Sequence, residues 1–303
     1  MDKSKRIWVL GASSVGSVMA AVLGEQAETF LIGDSPHAQA VKRDGLIISQ
    51  YGEKAEKKNI TVDRYRHIPK INDGDLVLLT GKIWGLKKAV TALFEKLSPS
   101  TPVVAFQNGM GFEKELERGL GKKISRAIVK FGSNSDGEGS VVYYPGKIVM
   151  LSDNTGKKMH QYLDESPIRC ELTDDLTYEL WHKLLINCIA NSLAGLLKIN
   201  NQSIADHSLD DAKNLILQEV KMTAKLEGVQ LSITLDDLNG YFQSENIPSL
   251  VRDLERGEKT EIKWINGYIV DRAKHHGIAA PVNQTLTTLI EFLSQKQQNK
   301  RRG

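Results

Sequence analysis

The chain has 303 residues, 41% hydrophobic and 25% charged, with a formal net charge of +3. That balance describes an ordinary globular protein with material for about two domains, and it lacks the strongly basic face a nucleic-acid binder needs. Two cysteines, Cys170 and Cys188, are too few for a disulfide framework or a metal site and fit a reducing cytoplasm.

The N-terminal "MDKSKR" followed by "IWVLGASSVGSVMAAVLG" mimics a secretion signal. The run nevertheless divides into strand-like "IWVLGA", a small-residue turn and helix-like "VGSVMAAVLG", and a second strand, "TFLIG", follows. A folded element is the better reading, and no other window approaches the length of a membrane span.

From residue 7 to about 172, short apolar runs alternate with amphipathic segments. The predicted strands are Ile7–Leu10, Thr29–Ile32, Leu76–Thr80, Val103–Phe106 and Ile124–Val129, with helices such as Val15–Leu23 and Trp84–Leu97 between them. This alternation implies right-handed crossovers and a mostly parallel sheet. "SVVYYPGKIVML" has period-2 runs on either side of Pro145-Gly146 and reads as a hairpin.

After Thr173 the strand signal disappears. Residues 175–197, 208–228, 260–276 and 282–296 read as helices, and Pro248 and Pro281 stand at plausible helix starts. The expected organisation is an α/β Rossmann-like dinucleotide-binding domain over 1–173 and an all-helical domain over 174–303, divided near "ELTDDLT".

The first strand and helix enclose "GASSVG", residues Gly11, Ala12, Ser13, Ser14, Val15 and Gly16. A dinucleotide turn uses its first glycine for the turn and its last for close helix–strand packing. The pyrophosphate then sits on the helix N-terminus. Here the middle glycine is replaced by Ser13, which is small enough to leave the approach feasible. Asp34, 23 residues beyond Gly11, ends the second strand. A carboxylate there accepts hydrogen bonds from ribose hydroxyls and repels a 2′-phosphate, which slightly favours NADH over NADPH. Lys42 and Arg43 on the next helix could still reach a phosphate, and "GDSP" is equally good turn chemistry.

In "KLLINCIAN", Lys183, Asn187 and Asn191 recur every four residues on an otherwise apolar helix. An ammonium there needs an acid or a polar cleft. Either the row is a polar seam between helices or it is one wall of a site. Glu261, with Ser249 and Asp253 upstream, offers the matching acids and hydroxyl.

"W-x-K-L-L-I-N-C-I-A-N-S-L" resembles the start of the helical domain of ketopantoate reductases (2-dehydropantoate 2-reductases). "FQNGMG", "LLTGK", "SLVRDLERGEKTEI" and "INGYIVDRAKHHGIAAPVN" extend the resemblance, in order, over nearly the whole chain. The resemblance implies a C-terminal domain of the 6-phosphogluconate dehydrogenase C-terminal type and reduction of a 2-keto acid by NAD(P)H, with NADPH usual in the family. It makes Lys183 the proton donor, oriented by Asn187 and Asn191, and makes Glu261 an active-site carboxylate that holds substrate and tunes the lysine. Ser249 and Asp253 become substrate-binding residues, Asn108 a contact of both cofactor and substrate, and Lys82 a cofactor contact. The implied site is the cleft between the two domains. The implied partners are a small 2-keto acid and the nucleotide, with no metal, membrane or nucleic acid, in a cytoplasmic monomer or homodimer.

The chain departs from the family pattern in four places. Asp34 stands where arginine usually grips the 2′-phosphate, and Ser13 replaces a glycine. "FGSNSDGEGS" replaces a frequent Thr-His pair, and Ala194 a common threonine. The reading is a reductase of ketopantoate serving pantothenate and coenzyme A synthesis. The alternatives are a reductase of another 2-keto acid or a non-catalytic dinucleotide sensor.

Overall fold

A computed structural model describes residues 6–302, with side chains through Lys300. The chain forms two compact units, one comprising the residues up to Gln107 with Phe112–Leu176, the other Asn108–Gly111 with the residues from Thr177 onward.

The first unit runs β1 (Arg6–Leu10), α1 (Ser14–Leu23), β2 (Glu28–Ile32), α2 (Pro36–Asp44), β3 (Leu46–Gln50), β4 (Glu56–Lys58) and β5 (Thr61–Asp63). It continues with β6 (Leu76–Leu79), α3 (Leu86–Leu93), β7 (Val103–Ala105), α4 (Glu113–Leu120), β8 (Ser125–Arg126), β9 (Ile128–Ser135), β10 (Ser140–Leu151), α5 (Asn154–Tyr162) and β11 (Ile168–Thr173). Six strands form one sheet in the order β5-β2-β1-β6-β7-β8. Every pairing in it is parallel. Strand order reverses between β1 and β6, the switch point where open α/β sheets bind ligands at the carboxyl ends of their strands. The central strands β1 and β6 are apolar on both faces because helices cover them, and Ile7, Val9, Leu76 and Leu78 are fully buried.

A second sheet, β11-β10-β3-β4 with β9 on β10, is not expected as a sheet, although the sequence shows strand-like runs within β10 and at the start of β9. It corrects two expectations. Pro145-Gly146 is not a hairpin turn but a bulge within β10, where the register against β9 shifts between Tyr144 and Lys147. A bulge suits a proline, which has no N–H for the ladder. The predicted strand Ile124–Val129 is divided at Ala127, where the chain leaves the first sheet as β8 and enters the second as β9.

The second unit is helical: α6 (Leu176–Leu197), α7 (Asn201–Ile204), α8 (Asp210–Leu226), α9 (Leu235–Tyr241), α10 (Ser249–Glu255), α11 (Asn266–His275) and α12 (Pro281–Arg302). The expected helix over 260–276 begins only at Asn266, because Ile262–Trp264 is a 3-10 turn. Likewise Trp84–Leu97 shortens to α3, and Glu95, in left-handed conformation at φ 61°, lies just past its end. Helices α7, α9 and α10 were too short to show periodicity.

Helix α6 is the centre of this unit's core, with Trp181, Leu185, Cys188, Ile189 and Ala194 buried. Contrary to the sequence reading, it is long and apolar enough to cross a membrane by length and composition, yet 67% of its apolar window is buried inside the protein. A core helix passes the same test, and its polar row and dense packing identify it as one.

Candidate functional site

The dinucleotide turn is fixed by close backbone contacts. Gly11 has φ 116°, and a Cβ there would lie 2.2 Å from the Gly81 nitrogen. Gly16 is equally constrained, since a Cβ would stand 2.1 Å from the Gly11 carbonyl oxygen. A Cβ at Gly33 would meet the Ala12 methyl at 2.7 Å. Thr80, just past β6, donates its hydroxyl to the Gly11 carbonyl at 2.8 Å. Ser13 caps α1: its Oγ accepts from the Gly16 N–H at 3.1 Å and donates to the Thr80 carbonyl at 2.7 Å. The middle position of the pattern thus keeps the turn closed by a side chain where a glycine would rely on backbone alone. Ser14 Oγ donates to the Ser133 carbonyl at 3.3 Å, and Val15 is partly buried against the core.

Asp34 does not stand alone at the end of β2. It is ion-paired with Lys88 of α3, and both line a cavity of about 390 Å³ with Gln39, Arg64, Tyr65 and Arg66. Lys88 also lies 5.1 Å above the Tyr65 ring. Burial, with the Asp34 charge adding to it, pushes the Tyr65 hydroxyl up to about 12, so it remains a neutral phenol. The cations lining this cavity are Arg64, Arg66 and Lys88; Lys42 and Arg43, which the sequence also offered, are not among its lining residues. Arg43 is committed to its neighbour Asp44 in solvent. The missed residues lie 30 or more positions beyond Asp34, and no spacing rule joins them to it.

Lys82 precedes the 3-10 turn Ile83–Gly85, its ammonium 5.7 Å above the Trp84 ring. Gln107, another residue the sequence reading passed over, is buried and donates its amide to the carbonyls of Leu79 and Gly81 at 2.8 and 2.7 Å. Its Oε1 is buried with no protein partner. A constrained glycine turn opening a ten-residue helix, an acid-and-base cavity at the end of β2, and this orphaned acceptor together fit a dinucleotide cofactor.

In the helical unit, Lys183, Asn187 and Asn191 fall within about 80° of arc on α6. Lys183 is half-buried, and the two asparagines are buried. Asn187 Nδ2 donates to Asn108 Oδ1 at 3.5 Å, so two residues expected at one site do meet. The loop that carries Asn108 is clamped to Trp264, three residues beyond Glu261. Met110 N–H donates to the Trp264 carbonyl at 2.9 Å, and a Cβ on Gly109, at φ 80°, would approach that carbonyl oxygen to 2.3 Å. Gly111 leaves room for the Tyr268 ring, which packs 5.9 Å from that of Trp181 on α6. Glu261 directly precedes the 3-10 turn Ile262–Trp264 and is buried. Asp253 is buried on α10, whereas Ser249 is exposed at the start of that helix. Helix α10 can lie against α6 because Gly195 has no side chain: a Cβ there would meet Leu250 at 2.4 Å.

These features define a Rossmann-like nucleotide domain joined to an all-helical domain built around a lysine–asparagine–asparagine row. Residues 7–153 match the family model for ketopantoate reductase PanE/ApbA, and residues 175–294 match that for the ketopantoate reductase PanE/ApbA C terminus. The chain belongs to this family of NAD(P)H-dependent 2-hydroxyacid dehydrogenases. A 2-dehydropantoate 2-reductase from Pyrococcus abyssi is 27% identical over 302 residues, covering 94% of this chain and 97% of its own. A PanE/ApbA family ketopantoate reductase from Ralstonia eutropha JMP134 has a TM-score of 0.86 at 25% identity, over 97% of this chain and 99% of that one. A D-mandelate dehydrogenase solved with NADH and anilino(oxo)acetate has a TM-score of 0.88 at 23% identity over the same shares, a likeness of fold.

Proposed function

We propose that the protein reduces 2-dehydropantoate to pantoate with NAD(P)H, a step in making pantothenate and coenzyme A. The observation that carries this reading is the junction of Asn187 with Asn108, in a loop clasped to the turn that follows Glu261. It joins an amide of α6 to the loop of Asn108, which is held in turn to Trp264 of the turn after Glu261. The nucleotide supplies the hydride. Lys183 Nζ, next on the row, donates a hydrogen bond to the ketone oxygen as negative charge develops there and then gives up its proton to it. Asn187 and Asn191 hold the lysine and the substrate's hydroxyl or carboxylate in place. Glu261, Asp253 and Ser249 hold the rest of the substrate. In the first unit Gly11 to Gly16 receive the pyrophosphate on α1, with Lys82 beside it, and Asp34 lies at the adenosine end. Two buried free thiols, Cys170 and Cys188, accord with a reducing cytoplasm.

A second reading keeps this machinery and changes the keto acid. A D-mandelate dehydrogenase of the same fold, solved with NADH and anilino(oxo)acetate, is the finding that favours it. Oxidation of NADH and of NADPH, followed side by side with 2-dehydropantoate and with benzoylformate, separates the two. Turnover on 2-dehydropantoate with a clearly higher kcat/KM supports the first, preference for the aromatic acid supports the second, and inertness toward both defeats the first and rules out the aromatic acid as the substrate of the second.

A further inference from the structure

One buried polar chain in the helical unit touches no residue assigned above to substrate or cofactor. Asn266, the first residue of α11, and Asn283, in the first turn of α12, are each 0% exposed. The Glu219 carboxylate of α8 accepts from the backbone N–H groups of Val282 and Asn283 at 2.8 and 2.9 Å, and from Asn283 Nδ2 at 2.7 Å. Asn283 Oδ1 in turn accepts from Asn266 Nδ2 at 2.9 Å. Asn266 Nδ2 also donates to the carbonyl oxygen of Cys188, on α6, at 3.1 Å. Four helices are thus joined through amides surrounded by apolar side chains.

The direction of this chain is fixed by chemistry. A carboxylate can only accept, so Asn283 must turn its NH₂ toward Glu219 and its oxygen toward Asn266. Asn266 then faces two acceptors and must present its own NH₂ to both. Its Oδ1 is left buried with no partner. The amide satisfies two acceptors but leaves one of its own buried atoms unsatisfied, which offsets part of what its bonds contribute to stability. What it supplies is direction.

Apolar packing gives α6 little direction. Its side chains are apolar nearly all round, and hydrophobic contact is non-directional, so packing alone only weakly specifies rotation about the helix axis. A step of one residue turns the helix by about 100° and would carry the polar row into the core. The Cys188 carbonyl lies directly after Asn187, so the bond from Asn266 ties α6 to α11 beside the row. Buried polar residues set register in this way in other helical assemblies.

We propose that Asn266, backed by Asn283 and Glu219, is a positioning residue that fixes the rotation of α6 and so aims Lys183 and Asn187. The assignment rests on the proposed reductase reading, in which that row meets the substrate. The test is Asn266→Leu, of similar volume and without a donor. It is read by hydrogen exchange across 183–194, by NAD(P)H binding, and by the pH profile of kcat on the keto acid that the wild type reduces. The variant is expected to fold and to bind nucleotide as the wild type does. Exchange in α6 should rise, kcat should fall about tenfold or more, and the basic limb of its profile should be displaced. Unchanged exchange together with a kcat and basic limb within about twofold of wild type overturns the proposal. If Asn266→Leu does not fold, Asn283→Ser, which cuts the chain one link further from α6, is read against the same outcomes. A wild type with no turnover on any keto acid defeats the reductase reading alone, and exchange in α6 still decides whether the clamp exists.

Discussion

Asp34 shows how far one residue can be read without its surroundings. As a carboxylate after the second strand it favours ribose hydroxyls, but the fold gives it Lys88 as a partner and sets Arg64 and Arg66 around the same cavity. The acid then acts as one member of a mixed-charge group, and its repulsion of a 2′-phosphate is offset by three cations nearby. Removing it should expose that positive charge. Asp34→Ala is expected to lower the Kd for 2′-phosphorylated nucleotide relative to the unphosphorylated one about tenfold, measured by titrating NADPH and NADH. An unchanged ratio would mean that this cavity does not receive the 2′ position. Ser13 is the opposite case: it breaks the glycine pattern on paper, yet its hydroxyl closes the turn by capping α1 and binding Thr80.

At the scale of elements, two side chains make the first unit's stability depend on pH: one joins β1 to the start of β6, and the other joins α2 to α1 and Gly139. Asp75, just before β6, is buried. Burial works against its charge, but the Arg6 and Asn72 backbone N–H groups, the Trp8 indole and the Arg6 guanidinium all donate to it and hold its carboxyl below the usual value of 3.8. Its contribution is therefore complete above the unfolded value and is lost as pH falls through the lower folded one. His37 of α2 accepts from the Gly139 N–H through Nδ1 at 3.1 Å and meets Ser17 Oγ at 2.8 Å through Nε2. Burial holds it below the ordinary 6.5, so it folds as neutral imidazole. This stabilisation also belongs to the higher pH side and fades as pH drops below 6.5. Denaturant midpoints measured from pH 8 downward should decline in two steps, one beginning near 6.5 and one below 3.8. His37→Asn should remove the first step and Asp75→Asn the second, and persistence of either step in its own variant contradicts the assignment.

Across the whole molecule, the Rossmann-like order of strands and helices was legible because β1, β2, β6 and β7 are short apolar runs with helical segments between them. The polar row of α6 was legible because its spacing matches one helix face. The second sheet was not, since β3, β9 and β11 gain their identity only by pairing with β10 across as many as 90 or more residues. Proline in the middle of β10 pointed to a turn, and only a bulge against β9 explains its place in a strand. Asn266 and Asn283 stood within a recognisable motif, but nothing in their spacing shows that they reach the Cys188 carbonyl. Glu219 has no local signal at all, because its partners open a helix more than 60 residues away.

What unites these scales is the assignment of Lys183 as the group that protonates a ketone while the nucleotide delivers hydride. Single-turnover and steady-state oxidation of NAD(P)H by the preferred 2-keto acid, compared between wild type and Lys183→Ala, tests it most directly. The expected result is a kcat lower by about a hundredfold or more with nucleotide binding unchanged, the scale of a lost general acid. A variant that turns over within a few-fold of wild type would contradict the account.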